Sequence, residues 1–162
     1  NDLKAIKRMD FFLKNNVDLS QSLRYQITKS RYVTKYNGGL LYKSSSNMTI
    51  YIAFLLCREY TIKDKINIIF GSKFSIENLF KYCFENNLSE TVTEQKIPIY
   101  IMNGVHDYQT TYNQAKVYFD NLIAPEKKFY TFENSAHSPL FEEQEKFKNI
   151  LINDILKVHM GK

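Results

Sequence analysis

Cysteines and long apolar runs are scarce in this sequence, and each scarcity excludes a class of protein. The 162 residues include two cysteines, Cys57 and Cys83, so the chain is not a disulfide-rich scaffold. Both lie in apolar helical patterns, where we expect buried free thiols, although a disulfide between them stays an alternative. The apolar run 48–57 is too short to span a bilayer. No signal peptide is visible, so a cytoplasmic location is the default expectation.

Clustered charge is absent as well. Lys and Arg outnumber Asp and Glu by 22 to 17, which gives a net charge of +5. The basic residues are scattered among acids and do not interleave with aromatic residues, so we expect no nucleic-acid partner. His106, Asp107 and His137 come nearest to a metal site, but zinc normally needs three or four protein ligands with supporting spacing. We therefore expect no metal and no other cofactor.

The most informative part of the sequence is the stretch from Ile97 to His137. Residues near 97–103 form an apolar run ended by Asn-Gly, which is typical of a buried strand in a parallel sheet. A second strand is predicted near 127–132. Helices are predicted near 111–124 and 141–156. The apolar face of the first of these helices consists of Tyr112, Ala115, Phe119, Leu122 and Ile123.

An acid follows the first predicted strand, and a histidine follows the second. A strand–helix–strand crossover of this kind is nearly always right-handed and gives parallel strands, so both end at one edge of the sheet, about 4.8 Å apart if adjacent. We therefore expect Asp107 and His137 to meet there, where the carboxylate would fix the imidazole tautomer. Either residue alone is typical of a surface position or a local cap. The pair has the order of the last two members of a Ser…Asp…His triad.

The motifs around these residues resemble the α/β-hydrolase family, particularly its proline iminopeptidase-like (serine aminopeptidase-like) members with a helical cap. They are Asn-Gly-Val-His-Asp-Tyr-Gln-Thr at 103–110 and Phe-Glu-Asn-Ser-Ala-His-Ser-Pro at 132–139, with Phe-Glu-Glu-Gln-Glu-Lys-Phe at 141–147. The resemblance implies that Asp107 is the triad acid and His137 the general base. It also implies small-molecule or short peptide substrates, cleaved at a peptide or amide bond, with esters as the near alternative.

One part of the family pattern is missing. The family carries its nucleophile in a Gly-x-Ser-x-Gly turn, and none of the five glycines here brackets a serine in that way. Ser135 and Ser138 flank the histidine, and we interpret them as loop residues that bond to nearby backbone. The chain alone is therefore expected to be inactive.

The first 95 residues indicate short helices that resemble the family's inserted cap. We expect a helical cap over 1–95 and a C-terminal segment of the hydrolase core over 96–162. The run 48–57 is expected to be a cap helix facing the core or the substrate cleft. Thr61 and Asp64 have the spacing of a capping box, and Ser75 is predicted to begin a further helix.

The predicted fold class is α/β, as the C-terminal part of an α/β-hydrolase fold. Only two strands are evident, and two strands cannot surround an apolar parallel strand. We therefore expect the chain to be part of a larger serine hydrolase. Its exposed sheet edge would associate with the missing N-terminal half or with another copy. The alternative function is a non-catalytic fragment or an associating subunit of the same fold.

Overall fold

The computed structural model describes residues 2–20, 22–44, 46 and 48–156. These residues form two units, one of helices alone and one that contains both strands. The helical unit lies within Asn1–Tyr32 and Ser46–Thr91, and the strand unit lies within Val33–Ser45 and Val92–Lys162. The segment 33–44 therefore belongs with the strands, whereas the sequence assigned all of 1–95 to a helical cap. None of the described helices is both long and apolar enough to cross a lipid bilayer.

The helical unit begins with a capped helix. The Asp2 carboxylate accepts hydrogen bonds from the N–H groups of Lys4 and Ala5, which satisfies donors that have no partner within the helix. Phe12 is 3% exposed and packs edge-on against Tyr25, with ring centroids 5.4 Å apart. The helices are α1 (Leu3–Lys14), α2 (Leu23–Lys35, its last three residues in the strand unit), α3 (Met48–Leu56), α4 (Ile62–Glu85) and α5 (Leu88–Thr91).

Helix α4 begins at the predicted capping box, which the structure confirms. The Thr61 hydroxyl accepts a hydrogen bond from the Asp64 N–H, and the Asp64 carboxylate accepts one from the Thr61 N–H at 2.9 Å. The predicted helix start at Ser75 was wrong, because α4 continues for 24 residues through that position. A serine is a frequent helix cap, but it is also tolerated inside a helix whose flanking residues keep the helical pattern.

Much of the apolar surface of α3 and α4 is exposed rather than packed in a core. Leu56 is 74% exposed and Ile62 is 78% exposed. The expectation of buried thiols was also wrong, because Cys57 is partly exposed and Cys83 is exposed. Both cysteines are free, so the alternative of a disulfide between them is excluded.

The strand unit is built on a parallel pair. Strands β1 and β2 are neighbours from the pair Ile99–Lys127 to the pair Gly104–Phe132. Both strands therefore end at the same edge, and the loops that follow them start side by side. The elements are β1 (Ile99–Gly104), α6 (Tyr112–Asn121), β2 (Lys127–Phe132), α7 (Pro139–Glu142), α8 (Gln144–Asn149) and a π-helical segment (Ile150–Leu156).

Helices cover both faces of this pair. Tyr112 and Phe119 of α6 contact Phe129 edge-on, with ring centroids 5.5 and 5.4 Å apart. Alternate strand residues point to opposite faces, so Phe132 lies on the other side, where its ring centroid is 6.3 Å from that of Phe147 in α8. Phe132 is fully buried.

A hydrogen bond fixes the π-helical segment to β2. The Tyr130 hydroxyl donates to the Asp154 carboxylate at 3.1 Å. Burial of the phenol, followed by this bond, raises the pKa of Tyr130 to about 12. The neutral phenol is thus the form that the folded chain stabilises.

Two predicted helices differ in extent. The helix predicted over 111–124 ends at Asn121, because Leu122 is extended and 2% exposed. Ile123, expected on the apolar face, is exposed and donates its N–H to the Thr93 carbonyl at 2.8 Å. The helix predicted over 141–156 is instead divided at Glu143 into α7, α8 and the π-helical segment.

Candidate active site

The loop after β1 surrounds the Asp107 carboxylate with donors. Its Oδ1 accepts hydrogen bonds from the Gln109 N–H at 2.8 Å and the Thr110 N–H at 3.0 Å. Its Oδ2 accepts one from the Thr110 hydroxyl at 2.8 Å. The side chain is only 2% exposed. A carboxylate this deeply buried needs such donors, since burial without them is costly.

The structure brings the two sequence-predicted site residues together. Nδ1 of His137 lies 2.8 Å from Oδ2 of Asp107, and Thr110 Oγ1 lies 3.4 Å from the same nitrogen. A carboxylate can only accept here, so Nδ1–H donates the hydrogen bond to Oδ2 of Asp107, and in the neutral imidazole the other nitrogen, Nε2, is then the unprotonated one. The His137 side chain is 38% exposed. A buried carboxylate therefore orients an imidazole that is partly exposed to solvent.

Gly104 allows the two loops to approach each other. A Cβ atom at this position would lie 2.2 Å from the carbonyl oxygens of both Ser135 and Ala136. Real Cβ atoms do not come this close to backbone, so a larger residue would force the loops apart. The sequence predicted only that Asn103-Gly104 ends the strand. The close approach could not be seen because it depends on residues about 30 positions away.

Two carboxylates at the end of α7 hold the histidine loop. Glu143 accepts hydrogen bonds from the Asn134 N–H at 3.0 Å and the Ser135 hydroxyl at 2.7 Å. Glu142 accepts one from the Ala136 N–H at 2.8 Å. Ser135 is fully buried. The interpretation that its hydroxyl bonds to backbone was wrong, because a glutamate accepts it.

The segment 33–44 contacts both loops of the site. The Gly38 carbonyl accepts a hydrogen bond from the Tyr108 N–H at 3.1 Å, and the Gly39 carbonyl accepts one from the His137 N–H at 3.3 Å. The sequence predicted only a turn at this glycine pair. Its backbone in fact connects the acid loop to the histidine loop.

Tyr42, in the same segment, adds two contacts to the site. Its backbone N–H donates to Glu142, the residue that also holds Ala136. Its ring stacks on the imidazole of His106, with centroids 3.6 Å apart and planes 1° from parallel. His106, considered above for a metal site, is therefore a stacking partner of Tyr42.

The two serines that flank His137 occupy positions in the histidine loop and at the start of α7. The Ser135 hydroxyl donates a hydrogen bond to Glu143. Ser138 is the residue before α7, and its side chain accepts no capping hydrogen bond from that helix. Among the residues that the structure describes, no group of three or more His, Cys, Asp and Glu side chains is arranged to hold a metal ion. The site therefore contains an imidazole that a buried carboxylate orients.

Sequence comparison relates this chain to a curated protein. The chain is 31% identical over 114 residues to the probable aminopeptidase YbaC of Bacillus subtilis (strain 168). The match covers 70% of this chain and 36% of YbaC, so it spans about a third of that relative's length. No family model matches the chain, and no solved structure matches it.

Proposed function

We propose that this chain is the C-terminal part of a peptidase-like serine hydrolase of the α/β-hydrolase fold. The observation that supports this most strongly is the 2.8 Å bond between Asp107 and His137, at the ends of two adjacent parallel strands. The similarity to a protein named as a probable aminopeptidase supports the same class of activity.

In this proposal His137 is the general base and Asp107 orients it. Nε2 of His137 takes the proton of a serine hydroxyl as that oxygen attacks the substrate carbonyl, and later returns the proton to the leaving group. Asp107 keeps the Nδ1 proton in place and stabilises the imidazolium that forms. Thr110 and the loop amides hold the carboxylate, so it does not need to reorganise when the imidazole becomes charged.

The serine nucleophile would come from polypeptide outside these 162 residues, because the sequence contains no Gly-x-Ser-x-Gly turn. The proposed substrates are short peptides or small amides, since the similar protein is named an aminopeptidase. Carboxylic esters are the near alternative, because an ester follows the same acyl transfer with a better leaving group.

A chimera tests this assignment. This chain replaces the matched segment of YbaC, and hydrolysis of aminoacyl 4-nitroanilides and 4-nitrophenyl esters is measured. We expect turnover in the chimera, and a loss of about 10⁴-fold or more in its His137→Gln variant because the base is removed. The matched control is His106→Gln, which alters the neighbouring imidazole that stacks on Tyr42. This control should lose far less activity.

A fluorophosphonate probe provides the second readout. It should label a serine in the YbaC-derived part of the chimera but leave the isolated chain unlabelled, because the Ser135 hydroxyl is buried and bonded to Glu143. Equal turnover in the wild-type chimera and its His137→Gln variant would contradict the proposal. So would covalent labelling of Ser135 or Ser138 in the isolated chain.

The second candidate function is a non-catalytic subunit that associates through apolar surface. The exposed apolar side chains of α3 and α4, such as Leu56 and Ile62, favour it. The mass of the chain in solution, measured by light scattering, distinguishes the two. A stable oligomer combined with an inactive chimera would support the subunit.

A further inference from the structure

A cleft lies between α1 and α2 in the helical unit, and the residues that line it have no role in the proposed hydrolase mechanism. Its volume is about 800 Å³, within the range of small-molecule sites. The residues that line it are Leu3, Lys4, Lys7, Arg8, Phe11, Phe12, Arg24 and Thr28. Four of the eight carry a positive charge and none carries a negative charge.

Helical spacing explains why these residues share one surface. Lys4, Arg8 and Phe11 lie three or four positions apart on α1, and Arg24 and Thr28 lie four apart on α2, so each set faces one side of its helix. The edge-on contact between Phe12 and Tyr25, described above, joins α1 to α2 below this surface.

No acid is among the residues that line the cleft. Asp2 uses its carboxylate to cap the N–H groups at the start of α1. Asp10 lies 3.8 Å from Lys14, which is not a lining residue. A cleft with one sign of charge attracts and concentrates small ions of the other sign.

The floor of the cleft is apolar and aromatic. Phe12 is almost completely buried, and Phe11 presents its ring to the guanidinium of Arg24, which lies 5.3 Å from the ring centroid. This contact holds one cation beside an apolar surface. A ligand with an anionic head and an apolar body would contact both the lining cations and the aromatic floor.

We propose that this cleft binds a small amphiphilic anion, in which a carboxylate head is attached to an apolar body. The head lies among Lys7, Arg8 and Arg24, and the body lies against Phe11 and Phe12. Inorganic phosphate offers only the charge, and a neutral alcohol offers only the apolar body, so each should bind more weakly. None of the residues that line the cleft belongs to the strand unit that carries Asp107 and His137.

The test titrates the whole chain with 4-phenylbutyrate by calorimetry, beside 4-phenylbutylamine, 4-phenylbutan-1-ol and inorganic phosphate. We expect saturable binding of phenylbutyrate, at least about fivefold weaker binding of the alcohol and of phosphate, and no binding of the amine. Raising the salt from about 0.02 M to about 0.5 M should weaken phenylbutyrate binding, because screening shortens the reach of the charges.

The variant Lys7→Gln/Arg24→Gln removes two lining charges on exposed positions and should retain the fold. Its affinity for phenylbutyrate should fall about fivefold to tenfold, as expected for two partly exposed charges. The matched control is Lys63→Gln, which removes a surface charge from α4 in the same unit. Amide shifts in a nuclear magnetic resonance titration should fall within 3–14 and 23–28.

Three outcomes would overturn the proposal. The first is an absence of phenylbutyrate binding to the unaltered chain. The second is equal affinity in the Lys7→Gln/Arg24→Gln variant, or equal affinity for the amine or alcohol. The third is a set of amide shifts concentrated outside α1 and α2. Each is read without any enzymatic activity, so none depends on the proposed hydrolase.

Discussion

The helical unit and the strand unit differ in what defines their structure. In the strand unit, two loops meet through a glycine, three carboxylates and several backbone amides, and the fully buried residues Phe132 and Ser135 lie beside them. In the helical unit, α4 has a capping box and a regular helical pattern but exposes much of its apolar surface. The comparison indicates that long-range contacts define the candidate site, whereas local signals define α4.

The largest expected effect comes from Gly104→Ala. The added Cβ would be 2.2 Å from two carbonyl oxygens of the histidine loop, so the loops must separate. We expect a loss of about 3 kcal/mol or more in the free energy of unfolding of the strand unit, as for other strongly overpacked sites. Urea denaturation followed by the amide resonances of each unit measures it.

Gly71→Ala is the matched control in the other unit. A Cβ there would meet nothing within 4 Å, and the residue is inside α4. We expect a gain of about 0.5 to 1 kcal/mol in stability of that helix, since alanine is the better helix former. Equal effects of the two substitutions would contradict the comparison between the units.

Glu142→Ala should have the second largest effect. It removes the acceptor of the Ala136 and Tyr42 N–H groups and leaves both donors without that partner. We expect a loss of about 2 kcal/mol in the strand unit and faster hydrogen exchange of the Ala136 amide. Glu145→Gln is the control. This exposed residue lies 4.0 Å from Lys148 and should cost almost nothing.

Thr61→Ala tests the local side of the comparison. It deletes the hydroxyl that accepts the Asp64 N–H at the start of α4. The expected loss is about 1 kcal/mol in the helical unit, the usual value for a lost cap. Amide exchange should rise in the first turn of α4 and stay unchanged around Asp107. A rise of similar size in amide exchange around Asp107 would contradict the claim that this cap stabilises only the start of α4.

Tyr130→Phe should have the smallest effect at neutral pH, about 0.5 kcal/mol for one lost hydrogen bond. Its consequence appears in alkali. The pKa of Tyr130 is raised to about 12 in the folded chain, against about 10 when unfolded. Ionisation of the phenol therefore favours the unfolded state. The stability that the neutral Tyr130 contributes is fully present below about pH 10 and is lost towards about pH 12. Denaturation at pH 9 to 12 should show a smaller decline in Tyr130→Phe than in the unaltered chain.

The positions of Asp107 and His137 followed from the sequence because the signals that predict the strand before each residue are local. An apolar run followed by Asn-Gly predicted a strand near 97–103, and β1 lies at Ile99–Gly104. The crossover rule predicted that Asp107 and His137 would lie close together, and their side chains are within hydrogen-bond distance. Their catalytic role, like the hydrolase fold, stays a prediction.

The supporting contacts could not be predicted. Glu142 and Glu143 belong to a charged run that is typical of an exposed helix, and nothing local shows that each accepts a backbone N–H of the histidine loop. Gly38 and Gly39 have the composition of a turn, but their carbonyls bond to residues far along the chain. Ser75 was predicted to cap a helix because capping preferences do not show whether the preceding helix has ended.

The measurement that tests the central claim most directly is the ¹⁵N spectrum of the His137 ring in this chain, recorded at about pH 8.5. If Asp107 orients the ring, Nδ1 carries the proton and Nε2 is unprotonated. Asp107→Ala should then shift the ring towards the Nε2-protonated tautomer. A ring that is Nε2-protonated in the unaltered chain, or that is unchanged by Asp107→Ala, would contradict an acid–base pair assembled within these residues.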